Sequence, residues 1–359
     1  MNSADSFSSD YQAARAKFRE AAKAAGADLE TLSHPEPGPD GGDLSTDVAL
    51  VGPRGAERVL VMISGTHGAE GFCGSGAQVD WLRRGERLPA GLAVLMIHAI
   101  NPYGFAWLRR VTENNVDLNR NWIDFEQPLP ANPGYDALAA AAVPAEWTQA
   151  AQHESARTLA AYAAEHGPMG MQTAISAGQY AHPAGIFYGG MAPTWSRRTQ
   201  TAIFAEYLAG AAQVAIIDYH TGLGPWGFGE QIVTDRPESP GYERARGWYG
   251  AAITCPSSGD STSADISGDG LAAAPVLLAQ AEVTGLALEV GVQSLPQTLA
   301  AVRADAWLHA HGDLASPQGH EIKRQVRDAF YGDADDWKGM VAGQSLLAIR
   351  QALKGLTAA

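Results

Sequence analysis

Three stretches of this 359-residue chain are apolar at nearly every position: "RVLVMISG" (58–65), "LAVLMIHAI" (92–100) and "VAIIDYHTG" (214–222). A strand with one wet face alternates apolar and polar side chains, whereas a strand apolar throughout is buried on both faces. Such strands need helices above and below them. Shorter runs, "DVALVG" (47–52), "EQIVTD" (230–235) and "GLALEVG" (285–291), extend the same sheet. Helical patterns lie between the strands at 11–26, 72–84, 136–166, 196–212, 296–310 and 321–332, and "PEPGPDGGD" (35–43) is a loop. The alternation predicts an α/β sandwich with a mixed, largely parallel sheet. There is no internal repeat and no Ser/Gly-rich linker. Residues 1–359 are therefore expected to form one domain, with a helix and loop over 1–45 and a helical extension over 311–359.

Composition narrows the partners. The net charge is −14 with a pI near 5.1, which argues against nucleic acid or an anionic membrane as the main partner. No apolar run approaches the ~20 residues of a spanning helix. The opening "MNSADSFSSDYQAARAKFRE" lacks the basic segment and apolar core of a secretory signal, so a cytoplasmic location is expected. Cys73 and Cys255 are the only cysteines, too few for a disulfide framework or a thiolate zinc site. A small-molecule or short-peptide substrate fits this profile, as does assembly into a homo-oligomer.

In open α/β sheets, ligands gather beyond the C-terminal ends of the strands. His67 follows the run 58–65, His220 closes 214–219, and Glu289 sits late in 285–291. The loop "GTHGAEGFCGSG" after the first of these strands admits three readings. It lacks the glycine register and the lysine of a phosphate loop. It has no GxSxG nucleophile elbow. Elsewhere, Gly-Asp-Ser at Ser261 is a weak serine-hydrolase signal beside a plain polar turn, and Cys73 reads as a small buried residue. The third reading takes His67 and Glu70 as two ligands of a metal ion, which needs a third ligand and a base elsewhere in the chain.

Downstream comes "NPYGFAWLRRVTENNVDLNRNW" (101–122). His67, Glu70, Asn101-Pro102, Arg110, Asp117-Leu118-Asn119-Arg120-Asn121, His220 in "IIDYHTG" and Glu289 in "LALEVG" together resemble the zinc carboxypeptidase superfamily, with its aspartoacylase and succinylglutamate desuccinylase relatives. Within it, "GQYAHPAGIFYGG", "HTGLGPWG", "LALEVG" and "AFYGDADDWK" are similar to a branch of uncharacterised bacterial proteins, DUF2817. The resemblance implies a three-layer α/β/α sandwich and one Zn²⁺ held by His67, Glu70 and His220.

It also implies roles. Glu289 would be the general base that takes a proton from the attacking water and later delivers it to the leaving nitrogen. Arg110 would stabilise the oxyanion, with adjacent Arg109 as its rival. Asn119 and Arg120 would hold a substrate carboxylate, unless Arg120 is spent on an ion pair with Asp117 or Asp124. Apart from the resemblance, Asp218 lies two positions before His220 on a strand and so points to the same side, where it either orients an imidazole or is a simple buried hydrogen-bonding residue. Trp226 and Phe228, the segment 179–190 with His182, and the segment 257–269 are candidate walls of the site. The tyrosine that zinc carboxypeptidases place before the glutamate has no clear counterpart, although Tyr242 and Tyr249 fall in the interval. The activity implied is hydrolysis of an amide in a small carboxylate-bearing substrate, of the carboxypeptidase or dipeptidase type. An N-acyl amino acid deacylase is the alternative, and a zinc-binding protein without catalysis the alternative of another class.

Overall fold

The strands that are apolar throughout occupy the middle of a seven-stranded sheet. The computed structural model describes residues 2–358. In chain order the elements are α1 (Tyr11–Ala24), β1 (Asp28–Ser33), β2 (Ser45–Val51), β3 (Arg58–Ile63), α2 (Gly71–Arg84), β4 (Leu92–His98), α3 (Pro102–Ala106), α4 (Pro133–Ala142) and α5 (Gln149–Ser176). Then follow α6 (Trp195–Tyr207), β5 (Gln213–Trp226), β6 (Gly229–Ile232), α7 (Pro240–Tyr249), α8 (Gly270–Leu277), β7 (Glu282–Gly291), α9 (Leu295–His311), α10 (Pro317–Phe330) and α11 (Asp335–Ala358). The strand order is β1-β2-β4-β3-β5-β7-β6. β4, β3, β5 and β7 run parallel, and antiparallel strands flank them on both edges.

Each central strand feeds two cores, as its unbroken apolar pattern requires. Leu60 and Met62 of β3 join Met96, Ala215 and Ile217 under α1, α2 and α11, where Phe18, Phe72 and Trp337 fill the space. Val59, Val61 and Ile63 point the other way, with Ile97, Val214 and Ile216, against Phe204 of α6 and Leu271 of α8. Helices on both faces make a three-layer α/β/α sandwich with a mixed sheet. A further apolar cluster joins α4, α5, α9 and α10 through Tyr135, Ile175, Val302 and Val326. No helix among the described residues is long and apolar enough to cross a membrane.

Three departures have local causes. The span 136–166 is two helices rather than one: α4 ends at Ala142, and the Thr148 hydroxyl accepts from Ala151 N to start α5 anew. β1 lies inside the stretch read as helix and loop, because "DLETLS" is a half-exposed edge strand without an apolar run. β5 continues past its expected end to Trp226, through a register break between Thr221 and Trp226.

The topology positions the site. β3 pairs with β4 on one side and β5 on the other, so the crossover from β3 to β4 runs one way along the sheet and the connection from β4 to β5 runs the other way, past β3. A crevice opens at such a switch point beyond the C-terminal strand ends. His67 and His220 both emerge there.

Candidate metal centre and active site

After Ile63 the chain turns through Ser64–Thr66 to His67 and makes one tight helical turn, Gly68–Glu70, before α2 begins. The glycines here answer to packing rather than to phosphate. A Cβ on Gly68 would sit 2.0 Å from the Gly104 carbonyl carbon, and one on Gly71 would sit 2.5 Å from the Phe105 ring. Gly68 N and Ala69 N donate to the carbonyls of Arg110 and Arg109 at 3.1 and 2.7 Å. Two segments distant in sequence are thereby locked together, and each carries site residues.

His67, Glu70 and His220 converge, with one ligand atom from each lying within 4.8 Å of the others. The two imidazoles face each other through Nδ1, 3.2 Å apart. Glu70 Oε1 is 3.0 Å from His67 Nδ1, and Glu70 Oε2 is 3.1 Å from His220 Nδ1. The outward nitrogens have carboxylate partners: His67 Nε2 lies 3.1 Å from Asp117 Oδ1, and His220 Nε2 lies 3.0 Å from Asp218 Oδ2. Asp218 is itself held by the Thr66 hydroxyl at 2.8 Å. An imidazole donating from Nε2 presents a bare lone pair at Nδ1. Two such lone pairs and a carboxylate turned toward one point repel each other unless a cation sits between them. Imidazole held by carboxylate is the arrangement that orients metal ligands, so the donor set fits a divalent ion of the zinc type. Arg110 Nη2 also lies 2.8 Å from His67 Nε2, a contact that suits only the opposite tautomer. A ring protonated at Nε2 keeps Asp117 and gives up that contact.

The two arginines part ways. Arg110 Nη1 donates to Glu70 Oε1 at 3.0 Å and its Nε to Asp117 Oδ2 at 2.9 Å, with the guanidinium lining the central cavity. Arg109 points away, to Asp305 at 3.0 Å and Asn115 at 2.8 Å. Asp117 thus serves His67 and Arg110 rather than Arg120. Reading it as a partner of Arg120 missed this, although its place in the Asp-Leu-Asn-Arg element marked it as a candidate.

Arg120 forms no ion pair among the described residues. Its Nε and Nη2 both donate to Ser176 O and its Nη1 to Asn119 O. A guanidinium has five N–H groups, so one on each terminal nitrogen stays free, and the side chain lines the cavity. Phe187, from the segment 179–190, lies 5.3 Å from the guanidinium carbons of both Arg110 and Arg120.

Electrostatics sharpen the picture. Burial, then the neighbouring Glu70 charge, push the Glu289 carboxyl up to about 8. Glu70 itself, despite burial, is held far below the usual carboxylate range by His67, His220 and Arg110. Against burial, Asp218 and Glu70 hold His220 well above the ordinary histidine value. Glu289 Oε1 accepts from Leu223 N at 3.0 Å.

The cavity has a volume of about 410 Å³. His67, Arg110, Asn119, Arg120, His220 and Glu289 all line it. Met171 and Ile175 of α5 form an apolar wall, Leu299 and Val302 of α9 another. The segment 257–269 supplies a more polar wall, with Ser257, Ser263, Asp265 and Asp269. Glu230 holds this wall, accepting from Thr254, Ser261 and Thr262.

Other expectations are corrected. Trp226 and Phe228 are exposed on the β5–β6 hairpin and do not line the cavity. His182 pairs with Asp136 outside it. Tyr242 and Tyr249 belong to the core beneath α7. Ser261 bonds Glu230 rather than a histidine, and Cys73 is buried, with its thiol pushed up by desolvation.

Comparison with solved structures finds remote likenesses. Bovine thrombin-activatable fibrinolysis inhibitor, in complex with tick carboxypeptidase inhibitor, is 10% identical, with 96% of this chain and 97% of that chain covered and a TM-score of 0.46. An aspartoacylase family protein from Mesorhizobium loti is 15% identical over 81% of this chain and 68% of that one, with a TM-score of 0.38. The murein-tripeptide amidase MpaA from Escherichia coli is 14% identical over 78% and 91%, with a TM-score of 0.34. No curated protein matches by sequence. The family model described as protein of unknown function (DUF2817) matches residues 7–344, nearly the whole chain, and the protein belongs to that family.

Proposed function

We propose that the protein is a zinc-dependent hydrolase that cleaves an amide bond in a small substrate bearing a carboxylate. The observation that carries this reading is the convergence of His67, Glu70 and His220 Nδ1 and carboxylate atoms beside buried Glu289. When bound, the ion supplies Lewis acidity, which lowers the pKa of a water and polarises a carbonyl. Glu289 takes one proton from the water as its oxygen attacks the amide carbon. The same carboxyl then gives that proton to the amide nitrogen as the C–N bond breaks, so one group acts first as base and then as acid. Burial raises the Glu289 carboxyl and a bound cation would lower it again, opposing influences that suit a group with both duties.

Arg110 is placed to donate its remaining N–H groups to the carbonyl oxygen as negative charge builds there. It is anchored for this by Asp117 and Glu70, so little reorganisation accompanies the reaction. Arg120 and Asn119 take the substrate carboxylate. The two free N–H groups of Arg120 match the two oxygens of a planar anion. A dipeptide and an N-acyl amino acid both carry an amide and a carboxylate, and the apolar walls suit an apolar group on either.

The test begins with metal analysis of the purified protein, followed by a screen of dipeptides and N-acyl amino acids with and without chelator. Glu289→Gln should keep the ion and lose turnover by about 10³-fold. Undiminished turnover in that variant, or failure of the wild-type protein to bind any divalent ion, would overturn the reading.

A further inference from the structure

A polar residue interrupts the buried stripe of α6. Gln200, Ile203, Phe204 and Tyr207 follow the i, i+3, i+4, i+7 pattern of a helix face turned to the core, and all four are buried. The last three join the apolar core between α6 and the sheet. Gln200 is only 4% exposed, and its amide has no hydrogen-bond partner among the described residues. Buried amides are ordinarily paired, so an unpaired one calls for a reason. An apolar side chain would suit the stripe better if packing were the only demand.

β5 breaks its pattern at the same level. Val214 and Ile216 point into that core, and Asp218 takes the next place on the same face of the strand. Asp218 and Gln200 both line a small internal cavity of about 10 Å³, together with Thr66, Asn119 and Trp122. The Asn119 side-chain nitrogen and the Trp122 indole nitrogen also lack partners among the described residues. Asp218 spends one bond on each oxygen, to the Thr66 hydroxyl and to His220 Nε2, and each carboxylate oxygen can accept another. The side chains around the cavity thus hold three unspent N–H donors and one carboxylate acceptor. About 10 Å³ is the room that a single water needs, and a water there has the two to four polar partners it requires.

We propose that Gln200 is a positioning residue for the metal centre, acting through one water trapped in this cavity. The water bridges the Gln200 amide to the Asp218 carboxylate. Asp218 is thereby held in place and aimed at His220 Nε2, so that the imidazole offers Nδ1 to the ion. This inference rests on the reading of His67, Glu70 and His220 as zinc ligands. A carboxylate that orients a metal-binding imidazole needs fixing in its turn, and such outer partners govern how tightly the metal is held. Thr66 fixes Asp218 from the loop after β3, and Gln200 fixes it from the helical layer.

The experiment measures zinc affinity by chelator competition in Gln200→Met, which keeps side-chain length and helix propensity but removes the amide. Affinity should fall by about tenfold, the lower end of what losing an outer partner costs. Because Gln200 acts through Asp218, the double variant Gln200→Met/Asp218→Asn should bind zinc no more weakly than Asp218→Asn alone. Ile203→Val, on the next turn of the same stripe, perturbs packing only. It should lower Tm and leave zinc affinity unchanged. Gln200→Leu serves, with the same expectation, if the Met variant does not fold. A crystal structure of the wild-type protein should show one water within hydrogen-bonding distance of Gln200 and Asp218. Unchanged affinity in the Gln200 variants, losses that add in the double variant, an equal loss in Ile203→Val, or a dry cavity overturns the proposal. A wild-type protein that binds no divalent ion overturns the metal reading and this inference with it, whereas zinc bound equally with and without Gln200 overturns this inference alone.

Discussion

Arg109 and Arg110 are neighbours in the chain and enter two different buried charge clusters. Arg109 meets Asp305, which also takes Lys323 and lies near His309 at the α9–α10 interface. Arg110 meets Glu70 and Asp117 at the switch point of the sheet. The first cluster closes on itself, since Asp305 is surrounded by cations and held down to about 2 by Lys323, Arg109 and His309 despite burial. The second stays open. Its imidazoles turn their Nδ1 atoms toward one point, and its arginines line a cavity of about 410 Å³. Buried charge alone therefore does not mark a site. Unspent donors and acceptors facing a shared space do.

The comparison can be broken by substitution. If Arg110 is the oxyanion donor proposed above, Arg110→Met in the zinc-loaded protein should lower kcat/KM by about 10²–10³-fold, with a modest change in Tm. Arg109→Met should do the reverse. It removes one of the two cationic partners of Asp305, Lys323 remaining, and costs about 1–3 kcal/mol of stability, read by denaturant titration, while kcat/KM per folded molecule stays within a few-fold. Equal kinetic effects of the two changes would erase the distinction.

A smaller effect is expected one layer out. Asp218→Asn removes the carboxylate that fixes His220 and should weaken zinc affinity by about 10–100-fold in competition with a chelator. Asp305→Asn should leave that affinity unchanged.

The smallest expected effect is a pH dependence of stability. Glu289 is raised in the folded protein from 4.5 to about 8, so folding favours its protonated form. Stability from this group is full below its unfolded value and drains away as pH rises toward 8. In chelated protein, wild type should lose Tm relative to Glu289→Gln across that window. Added zinc should release protons at pH 7 and shrink the difference, because a nearby cation favours the carboxylate. A flat difference in Tm would contradict the burial of an unpaired Glu289.

Much of the fold is legible in the sequence. The double-sided strands followed from unbroken apolar runs, since a side-chain period of two leaves no face for water. β1 was invisible because an edge strand with polar alternation looks like loop. The break between α4 and α5 hid in an alanine-rich stretch, where helix propensity runs high on both sides of the interruption. At the site, His67 and Glu70 stood out as a pair and His220 and Glu289 as polar residues in apolar strands.

By itself the sequence determined the layer architecture, the candidate ligand types and the strand ends where they had to lie, because periodicity and residue chemistry are local properties. Only tertiary structure decided which arginine faces the cavity and which carboxylate steers which imidazole. Those choices depend on how the 104–110 segment locks onto the His67 turn. Such contacts join residues far apart in the chain, and no local pattern encodes them.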